Sequence, residues 1–178
     1  MTKRVRYDLL GAGAAVLLTA LDQWTKYLAV NHLKDQAPLV LWEGVFELNY
    51  LENRGAAFGM LQGQKGIFLV STVLVLALIA LYYHRAPLGK RFVPVRVIGV
   101  LLLSGALGNM IDRVLQSYVV DFLYVKLIDF PVFNVADCYV TVGAVLMAVL
   151  FLFYYKDEEL GFLNPFGKGE SHGNDPQV

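Results

Sequence analysis

The chain has 178 residues, 57% of them hydrophobic, with equal numbers of acidic and basic side chains and a formal net charge of zero. A mean hydropathy of +0.52 is too apolar for an ordinary soluble domain, and the zero balance excludes nucleic-acid binding through a basic surface. One cysteine, Cys138, excludes an internal disulfide. With only the scattered His32, His84 and His172, it also makes a zinc site improbable.

A membrane-crossing helix needs about 20 mostly apolar residues. Four stretches qualify, at about 7–30, 67–83, 93–115 and 138–155. Together they predict one membrane-embedded domain over 1–155, mainly helical, followed by a flexible tail over 156–178. Lys3, Arg4 and Arg6 precede the first span, and Arg85, Lys90, Arg91 and Arg96 lie between the second and third with no acid among them. The excess of positive charge on cytoplasmic segments then places both termini and the 84–96 loop inside. Residues 31–66 and 116–137 face outward.

Within the first span, Asp22 and Lys26 are four apart and share one helix face. Spacing alone reads them as a salt bridge at the outer end of the span; the sharper reading is a pair that supports a site. Residues 39–50 then change to a period of two, with Glu43-Gly44 as the turn, which predicts a hairpin of two short strands. Asn53 and Arg54 follow, read either as an ordinary turn or as part of a site. The second span carries no charge, and Pro87, Gly89 and Pro94 break the loop after it.

The third span ends in a polar cluster. Gly105 and Ser104 permit close helix approach, and Asn109, Asp112 and Arg113 lie three or four apart on one face. The cluster suits a self-satisfied Asp112–Arg113 ion pair, or an Arg113 whose planar fork holds a carbonyl. Asp121 lies in an apolar, strand-compatible run, and Pro131 ends any strand. In NVAD, Asn134 fits a helix N-cap, and Asp137, three residues on, fits the helix dipole. Capping does not explain why Asp121 sits at the same depth. Lys126 and Asp129 read as loop charges, and Cys138 as a small apolar residue.

Ionisable groups beside membrane-length apolar runs point to function. Cofactor motifs are missing: the G-x-G at Gly11 follows no strand, and P-loop, CxxC and HExxH patterns do not occur. No cofactor or metal is expected. Carboxylates remain, and two of them in a partly dry site share one proton, so that one activates water while the other donates to the substrate. Asp121 and Asp137 are the candidate pair. The alternatives are a transporter, which favours acids near the midplane in repeated halves, and a scaffold with structural acid pairs.

DQWTK at 22–26, ENRGAAFG at 52–59, GALGNMIDR at 105–113, VVDF at 119–122 and FNVAD at 133–137 resemble, in that order, the lipoprotein signal peptidase (signal peptidase II) family. The resemblance covers all but the tail. It implies a bacterial inner-membrane aspartyl peptidase with four spans, a periplasmic β-cradle at about 38–60 and a short periplasmic helix. It also implies removal of signal peptides from lipid-modified prolipoproteins by cleavage before the diacylglyceryl-cysteine. Asp121 and Asp137 map to its catalytic aspartates. Asn53, Gly105, Asn109, Asp112, Arg113, Asn134 and Ala136, with Asp22 and Lys26, map to positions around the site. The family inhibitor globomycin is expected to occupy the aspartate pair, membrane lipids to surround the chain, and the chain to act as a monomer. The stretch LIDFPV between the aspartates looks short, as if the loop over the site is trimmed.

Overall fold

The computed structural model describes residues 1–55 and 65–164. Four long helices and a small sheet account for most of them: α1 (Lys3–His32), β1 (Leu39–Trp42), β2 (Phe46–Asn53), α2 (Lys65–Arg85), α3 (Val93–Gln116), β3 (Val119–Tyr124) and α4 (Val135–Phe153). α3 lies at the centre of the helical layer and packs against α1, α2 and α4. Two segments, Lys90–Gln116 and Val135–Phe153, are long and apolar enough to cross a membrane; Leu69–Arg85 is a shorter apolar helix. α1 has the length to span at 30 residues.

The distribution of polarity is inverted relative to a soluble domain. Leu9, Leu17, Val70, Leu74, Leu78 and Val145 are exposed, while Asp22, Lys26, Arg96, Ser104 and Asp112 are buried. Such an arrangement is stable when the apolar exterior meets lipid and the polar groups find partners inside.

Local sequence explains where the elements begin and stop. The Thr2 hydroxyl accepts from Val5 N at 3.3 Å and opens α1. Ser117 closes α3 in the left-handed region (φ 67°). The Glu43-Gly44 turn forms as expected, with Gly44 at φ 71°, where an L side chain would be strained. The expected hairpin is present, but it is part of a larger sheet. β3 pairs antiparallel with β2, giving the order β1-β2-β3, with Leu51 opposite Asp121 and Asn53 opposite Val119. The run around Asp121 becomes a strand because its Val, Phe and Leu side chains have a surface to pack on. Val120 and Phe122 form a small core with Ala29 of α1 and Leu33 just after it, which anchors the sheet to the helices.

Two boundaries are sharpened. Arg96 belongs to α3, not to a loop: it is buried between the rings of Tyr7 and Tyr83 and donates to Tyr83 O and Ala86 O, closing the end of α2. The start of the expected tail, Asp157–Leu163, is a 3-10 helix whose Glu159 pairs with Arg91. Between β3 and α4 lies the three-residue helical turn Lys126–Ile128. Residues 56–60 of the expected cradle and 165–178 of the expected tail lie outside the described residues.

Two glycines set the helix spacing. A methyl group at Gly105 would stand 2.5 Å from Ala136 O, and one at Gly108 would fall on the Asp22 carboxylate and within 3.2 Å of the Ala136 side chain. Gly13 faces open space. Gly108→Ala is therefore expected to cost about 1–3 kcal/mol of stability by overpacking, read as a lowered Tm in lipid or detergent, whereas Gly13→Ala leaves Tm unchanged or slightly raised.

Candidate active site

The candidate residues converge where the C-terminal ends of α1 and α3, the start of α4 and the edge of the sheet meet. Asn134 is the hub. Its side-chain oxygen accepts from Asp137 N at 3.0 Å, and the Asp137 carboxylate in turn accepts from Asn134 N at 3.2 Å, completing a capping box on α4. The Asn134 amide nitrogen meanwhile donates to Asp121 Oδ1 at 2.6 Å and to Asn109 Oδ1 at 3.1 Å. Asn134 is completely buried. The capping and site readings of NVAD are thus one arrangement: the cap that starts α4 also aims the two aspartates.

Asp121 Oδ2 accepts from Asn53 Nδ2 at 2.9 Å across the β2–β3 pairing. Asp137 Oδ1 accepts from Asn109 Nδ2 at 2.7 Å. Asn109 Oδ1 also accepts from Lys26 Nζ at 2.9 Å, which orients the amide so that its nitrogen faces Asp137. Burial pushes the Asp121 carboxyl from the ordinary 3.8 up to about 6. The Asn53 and Asn134 donors oppose that rise, and the neighbouring Asp137 charge adds to it.

Lys26 lies 3.0 Å from Asp22 Oδ2 and 3.0 Å from Asp112 Oδ2, and all three side chains are buried. Asp112 therefore pairs with α1, not with its neighbour Arg113 as one sequence reading had it. A buried cation between α1 and α3 satisfies Asp112 better than an adjacent residue that projects at a different helical angle. Arg113 instead lines the cavity and donates to Asn109 O at 3.3 Å. Ala136 is buried with its N–H on Asp22 Oδ1 at 2.8 Å, and it packs where Gly105 and Gly108 leave room.

Sequence reasoning missed Gln23. Its amide donates to Asp112 Oδ1, Gly108 O and Asp22 Oδ2 at 3.0–3.2 Å. Its position one residue after Asp22 and three before Lys26 was the available signal. The loop charges stay outside the cluster: Asp129 accepts from the exposed Tyr124 hydroxyl at 2.6 Å, and Lys126 pairs with Glu47 at 2.6 Å. Glu52, beside Asn53, is bound to Lys34 and Arg54 at the surface.

Asp121 and Asp137 both border a cavity of about 520 Å³. Asn53, Asn109 and Arg113 supply its other polar groups, while Phe130, Pro131, Phe133, Val140 and Val142 supply an apolar wall. A pocket with two adjacent carboxyls, amide donors on each and an apolar side is suited to polarising a carbonyl and activating water on a largely apolar ligand.

Fold and site together define a helical membrane protein with an acid-paired pocket at one end of its bundle. Residues 14–153 match the family model described as signal peptidase (SPase) II. The chain is 44% identical over 145 residues to a lipoprotein signal peptidase of Streptococcus thermophilus (strain CNRZ 1066), covering 82% of this chain and 92% of that protein. It is 40% identical over 159 residues to one of Geobacillus thermodenitrificans (strain NG80-2), covering 88% and 96%. A bacterial membrane enzyme solved by the in meso method at 2.3 Å resolution superposes with a TM-score of 0.73 at 32% identity, covering 80% of this chain and 87% of that one. The chain belongs to the signal peptidase II family and is a membrane peptidase of the lipoprotein-processing kind.

Proposed function

We propose that this peptidase removes signal peptides from lipid-modified prolipoproteins by cleaving before the diacylglyceryl-cysteine, with Asp121 and Asp137 as its catalytic pair. It acts in the bacterial inner membrane through four spans, with both termini cytoplasmic and the site at the periplasmic side. The observation that carries the reading is the convergence of two carboxyls, from β3 and from α4, on one partly apolar cavity.

The chemistry uses one proton shared by the pair. Asp121, raised by burial, holds it. Asp137 takes a proton from a water as the water oxygen attacks the scissile carbonyl carbon. Asp121 gives its proton to the carbonyl oxygen, forming a tetrahedral diol. On collapse the C–N bond breaks and the departing nitrogen takes up the proton held by Asp137. The final proton from the diol returns to Asp121. Arg113 is placed to hold a backbone carbonyl of the substrate through its fork, and the apolar wall of the cavity suits the signal peptide and lipid chains.

The test is conversion of a lipidated prolipoprotein to its mature size on a gel by the purified protein in lipid. Lack of conversion by a folded preparation would reject the substrate assignment. The same assay checks the proton account through its pH profile. The one-proton form persists below the upper apparent pKa of the pair and is lost as pH rises through it, so kcat/KM of the free enzyme falls on the alkaline side near the value of about 6 at Asp121. Asn53→Ala removes a donor that favours the Asp121 anion, so the alkaline limb moves to higher pH. A limb that stays put or moves down contradicts a proton held on Asp121.

A further inference from the structure

Each of the two aspartates has, immediately before it, a backbone N–H bound by a buried carboxylate from another helix. Val120 N donates to Asp112 Oδ2 at 3.0 Å, and Ala136 N donates to Asp22 Oδ1 at 2.8 Å. Those carboxylates are joined through Lys26, 3.0 Å from each, and again through Gln23. Asp22, Lys26 and Asp112 are at most 4% exposed.

We infer that Asp22 and Asp112 are positioning residues which, clamped by Lys26, set the spacing of Asp121 and Asp137 by holding the backbone one residue ahead of each. The inference rests on the reading of those two aspartates as the catalytic pair. A helix-to-helix ion pair would need one carboxylate and one amine. Here a second carboxylate is buried, and the cluster carries a formal excess of negative charge, which costs solvation free energy. The two backbone amides supply the missing positive ends. They are also the amides whose displacement would shift the two aspartates directly. Ala136 N is a first-turn donor of α4 that has no partner within its own helix, and Val120 N belongs to the strand that bears Asp121. One cluster therefore holds both the strand that bears Asp121 and the helix that bears Asp137.

The distinguishing experiment compares charge with reach at Asp112. Asp112→Asn keeps an oxygen at the right distance for Val120 N but removes the charge. Asp112→Glu keeps the charge but carries its oxygens one methylene further out. The spacing role predicts that Asp112→Asn retains kcat within about tenfold. It predicts that Asp112→Glu loses about 10²-fold in kcat, the effect of roughly an ångström of misplacement, with KM for lipidated prolipoprotein within about threefold. A purely ion-pairing role predicts the reverse order, and that order overturns the inference. If Asp112→Glu does not fold, as judged by Tm in lipid, the same comparison at Asp22 decides. Combining the Glu changes at both sites in a folded protein should cost little more than the larger single change, because one clamp is already released; additive losses count against it. Asp121→Asn and Asp137→Asn are assayed alongside. If they retain cleavage, the catalytic reading fails. If they abolish it while the Asp112 order is reversed, only the spacing role fails.

Discussion

Asp121→Asn and Asp137→Asn are each expected to lower turnover of a lipidated prolipoprotein by about 10⁴-fold, the upper range for loss of a positioned acid or base, while the protein still folds. The changes are isosteric. At position 121 the amide keeps one acceptor oxygen for Asn53 or Asn134, so one of those donors loses its partner, a cost of about 1 kcal/mol. At position 137 the retained oxygen can still accept from Asn109 or from Asn134 N. Neither amide can hold and release the shared proton. A scaffold would keep its behaviour through both changes, since the packing around Val120 and Ala136 is untouched. Cleavage retained by either folded variant removes that residue from the pair. The assay is the gel shift of the substrate, with circular dichroism and Tm in lipid as the folding control.

The second large effect is expected at Asn134, through a different physical route. Asn134→Ala removes the N-cap acceptor of α4, worth about 1 kcal/mol. It also leaves Asp121 Oδ1 and Asn109 Oδ1 without the donor at 2.6 and 3.1 Å, at about 1–3 kcal/mol for a buried polar group that loses its partner. The sum is about 2–4 kcal/mol, read as a fall in Tm, together with a loss of turnover because both aspartates lose their common anchor. Asn134→Ser separates the two contributions. Its hydroxyl restores the cap and recovers about 1 kcal/mol, but it is too short to reach Asp121, so activity stays low. Recovery of activity by serine would show that the cap alone matters, and that the bridge from Asn134 to Asp121 has no part in turnover.

Several features were legible because they depend on neighbours in the chain. The α-helices at the four apolar stretches follow from composition and length. The Glu43-Gly44 turn follows from glycine at a positive φ. The capping box in NVAD follows from a spacing of three. The candidate site residues were also nameable, because five short motifs in fixed order resemble those of the family to which the chain belongs. Other features were not legible. The placement of Arg96 depends on two tyrosines from different helices. The pairing of Asp112 with Lys26, not Arg113, depends on how α1 lies against α3. Gln23 was marked only by its place between Asp22 and Lys26, which does not fix its three contacts, because glutamine next to a charged residue is common on any helix surface.

The amino-acid sequence by itself determined that this is an apolar, helical chain whose ionisable groups gather at one end, and which two acids stand out among them. Hydrophobic length, period and capping are local properties, so they survive without knowledge of the fold. Only the tertiary structure decided that Asn53 meets Asp121 across a sheet, that Asn109 and Asn134 join the two aspartates, and that Asp22 and Asp112 grip the backbone ahead of each. Those contacts link residues far apart in the chain. Their directions are set by helix rotation and strand register, and the demand that every buried polar group find a partner selects among the pairings that local sequence leaves open.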